Sequence, residues 1–217
     1  MWVMISPMPT KTNRKAMSNK TEISNMAISH LGVGKEIANV ETERSEEALA
    51  CRRFYSIAKD ATLGDFNWSF ATVNKALNLI ETSPSNEWAY SYRYPNDALN
   101  VLRIMSGIRN ETNNQRIPYK INKGSSGSVI LTDQADCWIE YIERIEDETF
   151  FTPQFTMALS FRLAYLIAPR LTKGGSQAFK TNLWNAYIIE IKRAEMKSLN
   201  EEQRDPEPEC EFLRSRS

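Results

Sequence analysis

The residues of this chain that could do chemistry are its carboxylates, its one histidine and its three cysteines. Asp60 with Asp65, and Glu140, Glu143 and the run Glu146-Asp147-Glu148, offer acid pairs of the kind glycoside hydrolysis uses. There, two carboxyls about 5 to 9.5 Å apart act as acid and as base or nucleophile. A chain with 27 acidic residues offers such pairs by composition alone, so solvated acids are the plainer reading. His30 stands alone, which excludes a histidine-based zinc site and a second catalytic histidine. Cys51, Cys137 and Cys210 are odd in number, far apart and free of any CxxC spacing, so zinc and thioredoxin readings fail and free thiols in an intracellular setting are expected. Cys51 lies on a helix-packing stripe and His30 has no acid partner nearby in sequence, which argues against a Ser or Cys hydrolase. No phosphate loop and no metal spacing occurs, so no cofactor is expected. The chain reads as something other than an enzyme.

Those residues must be held by a framework, and the composition is sufficient for one. The 217 residues are 41% hydrophobic, 10% aromatic and 25% charged, enough for one substantial domain with at most a small insertion. Lys+Arg 27 equals Asp+Glu 27, so the chain lacks the basic excess of a nucleic-acid reader. Arg44, Arg52, Arg53 and Lys59 form a weakly basic helix face, read as solvated, with a subunit or DNA-phosphate contact as the alternative. The richest apolar stretch, Ala158 to Ala168, is too short to cross a membrane and is interrupted by Arg162. At the N-terminus the basic residues follow the apolar ones, the reverse of a signal peptide. Residues 1–17 are expected to form a disordered extension.

Helical spacing begins at Ser18. Ile23, Met26, Ala27 and His30 recur on one face up to Leu31, with Gly32 as the stop. Ser45 caps a second helix to about Phe66, with Ala48, Cys51, Tyr55, Ala58 and Thr62 as its stripe. After the break Ser83-Pro84-Ser85-Asn86, the runs 101–105, 117–121 and 128–131 read as strands, the last two joined by a Gly-Ser hairpin tip. Residues 137–145 fit either a strand or a helix. Helical character returns at Thr152 with Pro153, then Phe155, Leu159, Leu163 and Leu166, until Pro169. Ser176 opens a last helix through Phe179, Leu183, Tyr187, Ile191 and Ala194. The expected fold is mainly α: a four-helix-type bundle with a small β-rich insertion of three or four strands, α+β in total. Its parts are a helical first half at 18–80, the insertion at 81–149, a helical second half at 150–199 and an extended tail at 200–217. Trp68, Phe70, Trp88 and Tyr92 are expected to be buried where bundle and insertion meet. In the tail, Asp205-Pro-Glu-Pro-Glu209 opposes helix. Phe212, Leu213, Arg214 and Arg216 are the candidate partner-docking residues.

Several blocks, in their order and spacing, carry a resemblance. They are Ile23-Ser-Asn-Met-Ala-Ile-Ser-His-Leu-Gly32, Ser45-Glu-Glu-Ala48 with Cys51-Arg-Arg-Phe-Tyr55, and Asn67-Trp-Ser-Phe-Ala71. Trp88-Ala-Tyr-Ser-Tyr-Arg-Tyr-Pro95 follows with Asp97-Ala-Leu99, then Leu131-Thr-Asp133 and Phe151-Thr-Pro-Gln-Phe155. Across residues 18 to about 199 the chain resembles the head-to-tail adaptors of short-tailed bacteriophages, the tail tubular protein A family. The resemblance implies a helical bundle with a β-rich insertion, a strand at 137–145, and a virion protein assembled in the host cytoplasm. It further implies a homo-oligomeric ring of twelve copies between the portal protein and the tail nozzle protein, with double-stranded DNA passing through without sequence specificity. A neutral chain suits a bore through which DNA must slide. A cell-wall or capsule polysaccharide hydrolase is the alternative reading, and two buried carboxylates facing each other in a sugar-sized cleft would single it out.

Overall fold

The computed structural model describes residues 19–108, 115–125, 127–172 and 176–201. Two helices open the described residues. Helix α1, Lys20–His30, starts at a reciprocal capping box: Asn19 accepts from the Glu22 amide at 2.8 Å, and the Glu22 carboxylate accepts from the Asn19 amide at 3.3 Å. Gly32 ends it at φ 71°, a left-handed conformation that a side chain would strain. Helix α2, Glu46–Asp65, is capped by Ser45, and its stripe Ala48, Cys51, Tyr55, Ala58 and Thr62 is buried throughout.

Seven strands follow among the described residues: β1 Thr72–Ala76, β2 Leu79–Thr82, β3 Tyr90–Arg93, β4 Ala98–Ile104, β5 Tyr119–Gly124, β6 Gly127–Thr132 and β7 Trp138–Glu143. They make two antiparallel sheets, one in the order β1-β7-β4 and one in the order β2-β3-β6-β5. A short 3-10 turn at Glu148–Phe150 leads into helix α3, Pro153–Leu171, capped by Thr152, and helix α4, Gln177–Glu201, closes the described chain. Helix α3 is the centre of the helical layer and packs against α1, α2 and α4. Its buried residues, from Phe155 to Ala168, are apolar except Thr156 and Ser160, as suits a helix contacted on several sides.

The apolar interior divides in two. The larger core joins the helices to the aromatic knot around Trp68 and to Ile142 of β7. The smaller gathers Tyr92, Ile104, Ile130, Cys137, Ile139 and Tyr141 between the sheets.

The expectation of a mainly α four-helix-type bundle is overturned. The fold is α+β: of the described residues 44% are helical and 22% lie in strands of two antiparallel sheets. The error has a local cause. Strand β1 and the first two residues of β2 lie within residues expected to be helical, and β3 occupies a stretch read as an aromatic packing block. Thr72-Val73 is a short β-branched run and Leu79-Ile80 a short apolar one, and pairing with β7 and β3 stabilises them as strands. Residues 101–105, 117–121, 128–131 and 137–145 overlap β4, β5, β6 and β7. Helix α4 runs to Glu201, two residues beyond the expected end.

The four junction aromatics are also separated. Trp68 is buried in the larger core with Phe70 half-buried against it, whereas Tyr92 belongs to the smaller core and Trp88 lies half-buried on the second sheet.

Candidate functional site

Most of the carboxylates raised as catalytic candidates are engaged elsewhere. Asp60 pairs with Arg144 at 2.9 Å, and its other oxygen is buried without a partner among the described residues. Glu146 pairs at 2.8 Å with Lys59, a buried lysine on α2, and this pairing holds the Glu146 carboxyl below its ordinary pKa. Arg103 binds Glu140 across β4 and β7. Asp147 accepts from the Thr149 amide at 2.9 Å and caps the 3-10 turn. The Tyr55 hydroxyl donates to Glu148 at 3.4 Å. Glu143 stands half-buried at the end of β7. None of these acids lines the cleft of about 360 Å³ between α3 and α4 or the groove of about 350 Å³ on the second sheet.

Asp65 is held by the most elaborate of these arrangements. Tyr187 of α4 donates its hydroxyl to Asp65 at 2.7 Å, and Arg162 of α3 donates to Asp65 and, at 2.8 Å, to the Tyr187 oxygen. The guanidinium also lies over the rings of Trp184 and Tyr187. Burial pushes the Tyr187 phenol far above its ordinary range, so it stays a protonated donor. One contact set thereby locks α2, α3 and α4 together. Sequence reasoning took Arg162 only as an interruption of an apolar run. The spacing Arg162, Tyr165, Leu166 on α3 against Thr181, Trp184 on α4 lines a cleft of about 360 Å³, which helical periodicity on both elements could have suggested.

His30 and the cysteines are framework as well. The imidazole stacks on Phe161 at 4.0 Å between ring centroids, and its Nε2 lies 3.0 Å from the Ser160 hydroxyl. That hydroxyl donates to the Met157 carbonyl at 2.7 Å. The serine proton is therefore committed to the backbone, and the imidazole serves Ser160 as a donor rather than a base. Burial holds His30 below its ordinary pKa. Cys51 and Cys137 are buried free thiols, each pushed up to about 11 by burial, which leaves little thiolate for chemistry. The described residues contain no group of His, Cys, Asp and Glu able to hold a metal ion, and no helix long and apolar enough to cross a membrane.

What the described surface offers instead is places for other chains. The outer face of the second sheet forms an open groove of about 350 Å³, bordered by Ile80 and Glu81 of β2, Trp88, and Lys120 and Asn122 of β5. The Trp88 indole nitrogen is buried there with no acceptor among the described residues. All four residues of β2 are exposed, and Lys120 to Lys123 of β5 are exposed as well. Leu79, Ile80 and Ile121 are large apolar side chains left in solvent on these two strands. The candidate docking residues Phe212, Leu213, Arg214 and Arg216 lie outside the described residues.

A scan against protein-family models finds no match to this chain, and no curated protein is similar to it.

Proposed function

We propose that the chain is a structural virion protein, a head-to-tail adaptor. In this reading, copies of it form a ring that joins a portal to a tail nozzle and surrounds the passing DNA. One observation carries it: the sequence blocks behind the family resemblance meet in space as packing partners. Trp68 and Phe70 of one block lie 5.0 and 5.3 Å from the ring of Phe155, and Phe151 lies 4.5 Å from Phe155. In another pair of blocks, the Ala89 amide donates to Asp133 at 2.9 Å. Residues serving as scaffold rather than as reagents are what a ring subunit requires, since its work is done by lateral and axial faces.

Zero net charge supports the same reading, because strong phosphate neutralisation would retard DNA movement and make it salt-dependent. In this proposal the tail beyond α4, from residue 202, docks on the portal or on a neighbouring copy through Phe212, Leu213, Arg214 and Arg216, and its Pro-rich stretch spans the gap. The deciding measurement is the mass of the purified full chain by light scattering, alone and with a portal ring. A closed ring, or a ring formed on the portal, is expected. A monomer at high concentration that ignores the portal overturns the proposal.

A further inference from the structure

We infer that the second sheet is the lateral coupling device between copies: β2 of one subunit adds to β5 of the next, so that the sheet continues from chain to chain. This rests on the ring reading above and names the surface that would close it.

Three observations point to the same pairing. First, β2 and β5 are the two edges of the sheet, and neither has a further strand beside it among the described residues. Edge strands present unpaired backbone donors and acceptors, which another strand can satisfy. Second, the four strands alternate in direction. Because their number is even, a copy placed alongside in the same orientation brings its β2 antiparallel to β5, and the alternation is unbroken. Third, the edges differ in charge. Glu81 lies on β2, and Lys120 and Lys123 lie on β5. None of the three takes part in an ion pair among the described residues.

Charge decides between the possible partners. Pairing β2 with β2 across a twofold axis would oppose Glu81 to Glu81, and pairing β5 with β5 would oppose lysine to lysine. Only the head-to-tail arrangement sets acid against base. It also covers Leu79, Ile80 and Ile121, which a lone subunit leaves in water. A head-to-tail contact repeated by rotation closes into a ring, whereas a twofold contact stops at a dimer.

The test uses two full-length variants, E81K and K120E/K123E, with mass followed against concentration by light scattering. All three positions are exposed, so melting curves should stay close to that of the parent chain. Each variant alone should need about tenfold more protein for half-assembly. An equimolar mixture of the two should recover the parent behaviour, because every β2–β5 contact again joins opposite charges. If both variants form rings as the parent does, the edges are not the interface, although the ring reading survives. E81K assembling better with the parent chain than with K120E/K123E would assign β2 to twofold self-pairing and overturn the head-to-tail contact. A parent chain that stays monomeric throughout removes both readings together.

Discussion

The helical layer and the sheet layer satisfy their backbones in opposite ways. In the helices, stripes on α1, α2 and α3 converge on one interior that also takes in the Trp68 knot, and side-chain caps satisfy the start of each of these helices. The sheets enclose a smaller cluster around Tyr92, Ile130 and Tyr141; both layers leave large apolar side chains in solvent, Ile57 and Ile189 on helices and Leu79, Ile80 and Ile121 on strands, but only the strands set them beside open backbone edges. A helix satisfies its own backbone, so it needs only a covered face. A strand satisfies half of its backbone groups on each side, so a short open sheet always ends in two unsatisfied edges. The difference assigns stability mainly to the helical layer and leaves the sheet layer able to bind.

Three measurements would break or sharpen that contrast. The largest effect is expected at Trp68, which is 3% exposed, donates its indole N–H to the Thr62 carbonyl at 2.9 Å and meets Phe155 edge-on. Trp68→Ala should cost about 3 to 5 kcal/mol in a denaturant titration. A cost near zero would mean that the helical layer does not carry the stability.

A smaller effect belongs to His30, which links α1 to α3. Its folded pKa lies below the ordinary 6.5, so the unfolded chain binds the proton more readily. The contribution of neutral His30 is therefore fully present above about pH 6.5 and is lost as pH falls through 6.5 toward the folded value. Since the chain has no second histidine, the denaturation midpoint should fall between about pH 7.5 and 5.5, and His30→Gln should flatten that slope. An unchanged slope in the variant would place the proton uptake on other groups.

The smallest effect is expected on the open edge. Ile121→Thr should change the stability of the isolated subunit by no more than about 0.5 kcal/mol, because Ile121 is already 46% exposed. A loss several times larger, read from the same titration, would show that the sheet edge is part of the folded core after all.

How far the sequence could be read followed the range of the interactions involved. The α2 stripe and the caps at Ser45 and Thr152 were legible, because each depends on residues three or four apart. The strands β1, β2 and β3 were not, since Thr72-Val73, Leu79-Ile80 and the Tyr90–Tyr92 run acquire strand structure from partners far away in the chain. The same holds for the acids. Nothing near Asp65 announces Arg162 or Tyr187, and nothing near Lys59 announces Glu146.

By itself, then, the sequence determined where α2 and α3 begin, which face α2 buries, and that the interior would be rich in aromatics, because periodicity and capping are local; in α1 the cap fell to Asn19 and the buried face to Ser24 and Ile28 beside Ile23 and Ala27. The tertiary structure alone decided that there would be two sheets, that Tyr92 and Trp68 would enter different cores, and that β2 and β5 would be left as edges. Strand order is a choice among pairings of similar local propensity, and it is settled by which arrangement buries Ile130, Ile139 and Tyr141 together.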